Sequence, residues 1–491
     1  MLDLPHTPRS AGNLIGGAPR PGSSAVRRSV VCPYNGKVIG ELTLSDAADV
    51  SAAVAAAEAA WPDWARLPIR ERSEPLRRFR DLLDAHLAEL SQSAALESGK
   101  TPDEARAGLL RGLEVIDFAL SLPNADAGGA LEVSRGVTCE YRREPLGVVV
   151  GITPFNFPAM VPLWMFPIAL TAGNAFILKP SEKVPFTACR LGELAVQAGY
   201  PPGIFSIVQG EREVVEALVE HPSVRAVGFV GSTRAAQAVY ARATAAGKRA
   251  LCLGGAKNPV IVVPDADPRL TVKAVVDSFT GCAGQRCMAA SLLIAVGDTR
   301  QIVQDIAHAA ARLVLGRDMG ALIDAAARER LLQAIDVAER AGARLLCDGR
   351  GARPPAGCEQ GNWLGATVID DAEPNMPCVQ NELFGPVLSV VHVDTLEQAL
   401  ALENAAPYGN ATSVFTTSGA VARYVSERAA SGMVGVNVGV PVPREPFSFG
   451  GTRASKFGHG DMTGPSAVEF WSNLKKITTK WALQPDTTWM S

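Results

Sequence analysis

The chain has 491 residues, 47% of them hydrophobic and 20% charged, with a formal net charge of −3. A single hydrophobic core stops growing at roughly 250 to 300 residues, so two large domains are expected. This composition excludes a disordered chain, and a near-neutral balance without a Lys/Arg block offers no footing for nucleic acid or a membrane surface.

The first stretch carries Arg9, Arg20, Arg27 and Arg28 with few acids. It lacks the apolar core of a signal peptide and reads as a polar lead-in to a first hairpin, with a transit peptide as the alternative. Residues 46–120 alternate Ala-rich and charged segments at helical spacing and are expected to form helices. Between 130 and 144 the runs ALEVS and VTCEYRREP change to β character, a hairpin standing off the main body, and LKKITTKWAL near the end has the same character. Residues 146–178 contain no Asp, Glu, Lys or Arg. Four prolines (154, 158, 162 and 167) with Asn156, Gly173 and Asn174 argue against a membrane span there and for a buried crossing of the core.

From 147 to 253 the runs GVVVGIT, NAFILKP, IFSIVQG and VRAVGFVG are each followed by a helical stretch, the signature of βαβ units and a parallel sheet. A second series follows, with NPVIVVP, SLLIAVG, ATVIDD, LSVVHV and SVFTT as its strand-like runs. The expected fold class is therefore α/β with two parallel-sheet domains. One is built from 1–125 and 147–253, the other from 254–446, while 126–146 and 447–491 supply a small β arm and C-terminal segment. Exposed β edges on such an arm need covering, so a homodimer or homotetramer is expected. Nine cysteines are scattered without paired CxxC spacing, which points to free thiols in a reducing, cytoplasmic setting and to no metal site.

Among those thiols Cys287 lies in FTGCAGQRCMAAS, after a Gly-containing turn and before an apolar strand, where a thiolate can act as a nucleophile. Taken alone, any one cysteine is more often a buried structural thiol. The neighbouring motifs change that balance: TPFNFP (153–158), ILKPSE (177–182), FVGST (229–233), LGGAKNP (253–259), GQRC (284–287) and NELFGPVLSV (381–390). In this order and spacing the chain, from about Asn13 to about Trp481, resembles the aldehyde dehydrogenase superfamily.

That resemblance implies an aldehyde dehydrogenase-like fold, with a Rossmann-type NAD domain, a catalytic domain and an oligomerisation arm. It also implies that Cys287 attacks the aldehyde, with the Asn156 amide and the Cys287 N–H as oxyanion donors; one such donor is typically worth about 3 kcal/mol. For the NAD cofactor it implies Lys179 and Glu182 at the adenosine ribose, with Thr153 and Phe155 nearby. Gly231 and Ser232 would hold the pyrophosphate at a helix start. Glu382 would hold the nicotinamide ribose, with Phe384 beside it.

One position departs from the family pattern. Ordinary members read Glu-Leu-Gly-Gly-Lys, and that Glu activates the water that hydrolyses the thioester, whereas this chain reads LCLGGAKNP. Counting from the glycines puts Cys252 in the Glu position; counting from Lys257 puts Leu253 there. Neither is a carboxylate, and general-base help commonly contributes about 10² to 10⁴ in rate. A thiol acceptor needs less help than water. The wording from TPFNFP to ILKPSE, with GAKN and RCMA, resembles the CoA-acylating methylmalonate-semialdehyde dehydrogenase branch, although that branch usually has His where this chain has Pro259.

Membership of that branch implies coenzyme A as acyl acceptor and a methylmalonate or malonate semialdehyde as substrate. Its carboxylate would suit Arg111 and Arg286, with Phe157 also at the substrate. Arg286, next to the nucleophile, is further expected to lower its pKa. The alternatives are a hydrolytic semialdehyde dehydrogenase and, from another class, an inactive binding or structural homologue. Cys252 stands open between a small core residue and a disulfide partner of Cys287.

Overall fold

The helical spacing after residue 46 produces four helices, Ala47–Arg66, Ile69–Ala85, Leu87–Ser98 and Pro102–Ala125. The first is fixed at its start by Asp46, whose carboxylate accepts from the Ala48 and Asp49 N–H groups in a capping box. The computed structural model describes residues 9–125 and 128–481, so the 1–8, 126–127 and 482–491 parts of the expected segments lie outside the described residues.

The first large sheet has eight strands, in the order Lys456–Phe457, Arg249–Leu253, Val224–Val230, Val148–Ile152, Ala175–Lys179, Phe205–Ile207, Asn13–Ile15 and Ala18–Arg20. The five from Arg249–Leu253 to Phe205–Ile207 run parallel. Antiparallel strands from distant parts of the chain extend both edges. Every residue of Val148–Ile152 and Ala175–Lys179 is buried, as a parallel sheet covered on both faces requires. Lys456–Phe457, within the 447–491 stretch expected to hold arm and C-terminal segment, pairs with this sheet.

A second sheet of seven strands runs in the order Arg344–Cys347, Thr367–Asp370, Val387–Val393, Ala290–Val296, Asn258–Val262, Ala411–Phe415 and Met433–Val436. Only its first pair is antiparallel. Residues 254–257 join the two sheets. The arm is a three-stranded sheet in which Val137–Pro145 lies between Gly129–Ser134 and Ser472–Lys480. Leu131, Val133, Tyr141 and Leu474 are exposed on it.

The charge-free run 146–178 becomes strand, helix and strand, and all of the helix Met160–Thr171 is buried. Among the described residues no helix is long and apolar enough to cross a membrane. Asn174 explains how a polar residue survives in this run. Its Oδ1 accepts from the Leu146 and Gly147 N–H groups at 2.7 and 3.2 Å, and its Nδ2 donates to the Ala169 and Trp471 carbonyls at 3.0 and 2.8 Å. One side chain thus ties strand, helix and the chain leading to the arm. Each buried partner left unsatisfied costs about 1 to 3 kcal/mol. Asn174→Ala is accordingly expected to destabilise the fold by at least about 3 kcal/mol, read as a fall of several degrees in the thermal midpoint; an unchanged midpoint would refute this role.

Candidate active site

The helix Pro268–Thr280 ends at Gly281, and the next three residues, Cys282, Ala283 and Gly284, have φ of 56°, 51° and 68°. Two non-glycine residues in the left-handed region are strained and persist only where the surroundings over-determine them. Those surroundings are visible. The Glu104 carboxylate accepts from the Cys282 N–H, the Gln285 side chain accepts from the Ile323 N–H at 3.0 Å, and Asn156 Nδ2 donates to the Gln285 carbonyl at 3.0 Å. A Cβ on Gly284 would lie 2.0 Å from the Gly385 carbonyl oxygen, so only glycine fits this crossing.

Two further amides hold the nucleophile candidate itself. Asn258 Nδ2 donates to the Cys287 and Ala289 carbonyls at 2.8 and 2.9 Å, and Asn410 Nδ2 donates to the Cys287 carbonyl at 2.9 Å. Sequence reasoning assigned no role to either residue, nor to Glu104 or Gln285. Asn258 and Gln285 lie inside the quoted motifs GAKN and GQRC, whereas nothing in the sequence ties Asn410 to Cys287.

The half-buried Cys287 lies where two cavities meet, one of about 440 Å³ and one of about 420 Å³. Phe157 and Trp164 also border both. The thiol pKa is pushed up to about 12, first by burial and then by the Glu382 carboxylate. Arg286 acts in the lowering direction, as expected from the sequence, but burial outweighs it.

The 420 Å³ cavity gathers Phe155, Asn156, Gly231, Ser232, Glu382 and Phe384 of the expected site. Ser232 precedes the helix Thr233–Ala245 without a side-chain cap, so the N–H groups and positive dipole end of that helix are open to an anionic group. Glu382 accepts from the Ala256 N–H at 2.9 Å, and a Cβ on Gly255 would collide with it at 2.1 Å. The carboxyl pKa of Glu382 is raised by burial. The Phe155 and Phe384 rings meet edge to face at 6.0 Å. Thr153, Lys179 and Glu182 do not border this cavity: the Thr153 N–H donates to the Lys179 carbonyl at 3.1 Å, and the Lys179 ammonium sits 3.5 Å from Glu182.

The 440 Å³ cavity holds Arg111, Phe157 and Arg286. Arg286 is already engaged, its Nη2 donating to the Asp277 and Ser278 carbonyls at the end of Pro268–Thr280, where the helix dipole favours a cation. Arg111 faces Glu114, Glu445 and the Pro443 carbonyl. Cys252 is fully buried on the strand Arg249–Leu253, opposite Phe229 and Phe457, and borders neither cavity; burial pushes its pKa up to about 12. Its surroundings are those of a core residue. Glu104 and Glu382 are the carboxylates among the residues bordering the two cavities.

Known proteins resemble the chain over nearly its whole length. The aldehyde dehydrogenase family matches residues 21–477. Malonate-semialdehyde dehydrogenase 3 of Geobacillus kaustophilus (strain HTA426) is 40% identical over 477 residues, 96% of this chain and 98% of that one. The mitochondrial acylating methylmalonate-semialdehyde/malonate-semialdehyde dehydrogenase of Bos taurus is 40% identical over 456 residues, 91% of this chain and 85% of that one. A solved protein of Sinorhizobium meliloti 1021, complexed with NAD, superposes with a TM-score of 0.96 at 39% identity and covers 98% of this chain and 100% of its own.

A thiol with a pKa near 12 is almost wholly protonated at neutral pH, and its reactive thiolate increases about tenfold per pH unit well past the usual cysteine range. In the ligand-free protein, alkylation of Cys287 by iodoacetamide, followed by peptide mass mapping, is therefore expected to accelerate continuously from pH 7 to pH 10. A plateau near pH 8.5 would show that burial does not control this thiol.

Proposed function

The chain belongs to the aldehyde dehydrogenase family, and from that membership we propose that it oxidises methylmalonate or malonate semialdehyde with NAD through a Cys287 thioester. The acyl group then passes to coenzyme A with loss of carbon dioxide, giving propionyl-CoA or acetyl-CoA. The observation that carries the acyl-transfer step is that positions 252 and 253 hold Cys and Leu, both buried, where hydrolysis would need a carboxylate.

The 420 Å³ cavity suits the pyrophosphate and nicotinamide part of a dinucleotide, because an open helix N-terminus at Ser232 favours a pyrophosphate and Cys287 borders the same cavity. When bound, the nicotinamide supplies the hydride acceptor. Lys179 and Glu182 are proposed for the adenosine ribose, with Thr153 and Phe155 nearby, and Glu382 and Phe384 for the nicotinamide end.

Cys287 adds through sulfur to the aldehyde carbon and gives up its proton. The oxyanion formed is met by the Cys287 N–H and by Asn156, whose Nδ2 has two hydrogens and uses one on the Gln285 carbonyl. Loss of hydride from that carbon leaves the thioester. The substrate carboxylate, β to the thioester carbonyl, departs as carbon dioxide; its electron pair enters an enolate that takes up a proton, and the same donors stabilise the enolate oxygen. The coenzyme A thiol then gives up its proton and attacks the carbonyl through sulfur, and Cys287 leaves as its thiolate and takes up a proton in turn. Arg111, Arg286 and Phe157 are proposed on the substrate side of the sulfur. The exposed apolar arm fits a homodimer or homotetramer, and the free cysteines fit a cytoplasmic setting.

A second reading has one observation in its favour. Glu382, with its pKa raised by burial and its charge felt at Cys287, is a carboxylate that could activate water for hydrolysis. Rapid mixing with malonate semialdehyde and NAD separates the two. Acyl transfer predicts an NADH burst equal to the concentration of Cys287, stalling until coenzyme A is added, with acetyl-CoA as the product found by mass spectrometry. Sustained turnover without coenzyme A, abolished by Glu382→Gln, would establish hydrolysis instead. Cys287→Ser is expected to lower NADH formation at least about 10³-fold, and unaltered oxidation by this variant would remove the thioester from the mechanism.

A further inference from the structure

Arg111 projects from the helix Pro102–Ala125 into the cavity that it shares with Cys287. It already faces two carboxylates, one more than its single charge balances. Glu114, three residues on, makes a short contact with Nη1 and also pairs with the exposed Arg444 at 3.0 Å; its side chain is 38% exposed. Glu445 is placed differently. Its side chain is 7% exposed and one oxygen lies 2.9 Å from Arg111 Nη1. Yet both Glu445 oxygens, and Arg111 Nε, are buried without an aligned hydrogen bond. A carboxylate taken out of water needs hydrogen bonds as well as an opposite charge, and the fork-to-fork pairing that supplies both to an Arg–carboxylate pair is not made here.

We propose that Glu445, which does not itself border the cavity, competes with the substrate's carboxylate for Arg111, so that binding an acidic semialdehyde exchanges one carboxylate on the guanidinium for another. This rests on the carboxylated substrate proposed above. Glu445 is thus a positioning residue that sets specificity through Arg111. An aldehyde without a carboxylate leaves the pair in place, whereas an acidic one has to displace Glu445 and then gains the aligned pairing that Glu445 lacks. The surrounding chain permits the exchange, since 437–451 has no helix or strand and Arg444, Pro446 and Phe447 beside Glu445 are exposed. Glu114 remains on the guanidinium from the same helix and keeps it oriented.

Calorimetric titration with malonate, the simplest dicarboxylate of the right size, reads the exchange without any turnover. Glu445→Gln is expected to lower the malonate Kd about tenfold relative to the unaltered protein, and Glu114→Gln is not. Should Glu445→Gln fold poorly, Glu445→Asp, which withdraws the carboxylate by one methylene, is expected to shift the Kd in the same direction. In steady state Glu445→Gln is expected to lower the KM for malonate semialdehyde by a larger factor than it changes kcat, a split that general loosening of the cavity would not produce. An unchanged or weaker malonate Kd in Glu445→Gln and Glu445→Asp, or an equal gain in Glu114→Gln, would overturn the proposal. If malonate binds more tightly as expected but malonate semialdehyde is not oxidised, the substrate reading fails and the exchange on Arg111 stands.

Discussion

Two carboxamides converge on one carbonyl oxygen: Asn258, at the start of the strand Asn258–Val262, and Asn410, next to the strand Ala411–Phe415, both donate to Cys287. The backbone ahead of Cys287 passes through three consecutive left-handed residues, a conformation that local energetics would not hold. The amides, with the Glu104 carboxylate accepting from the Cys282 N–H and Gln285 tied to Ile323, hold it in place. The Cys287 carbonyl is therefore held from the second sheet, by Asn258 at the start of one strand and Asn410 just ahead of another.

The proposed oxyanion donor comes from the other side of the seam. Asn156 follows the strand Val148–Ile152 of the first sheet and reaches the carbonyl of Gln285, two residues before the thiol. Residues 254–257 carry the chain straight from the last parallel strand of one sheet into the first strand of the other, and Gly254 and Gly255 border the 420 Å³ cavity. The close approach of Gly255 to Glu382 marks how tightly that seam is packed.

The basic side chains around the centre are already engaged within the protein. Arg286 is spent on carbonyls at a helix end, Arg111 on Glu114 and Glu445, Lys179 on Glu182, and the buried Lys257 on the Cys378 carbonyl at 2.7 Å. Burial then keeps the Cys287 thiol protonated.

What was legible in the sequence was whatever each segment expresses by itself. Alternation of apolar runs and helical stretches yields two parallel sheets, because a strand covered on both faces must be continuously apolar. The motif order led to Cys287 and to the missing acid at 252 and 253, and both are statements about residue type. Hydrophobic periodicity reports only which face of an element is buried, not what meets it. Hence the pairing of Lys456–Phe457 with Arg249–Leu253, the grip of Asn410 on Cys287, the diversion of Arg286 to a helix end and the pairing of Arg111 with Glu445 were decided by the tertiary structure alone. Those partners lie far apart in the chain or turn away from the expected direction, and only packing determines which side chains share a buried space.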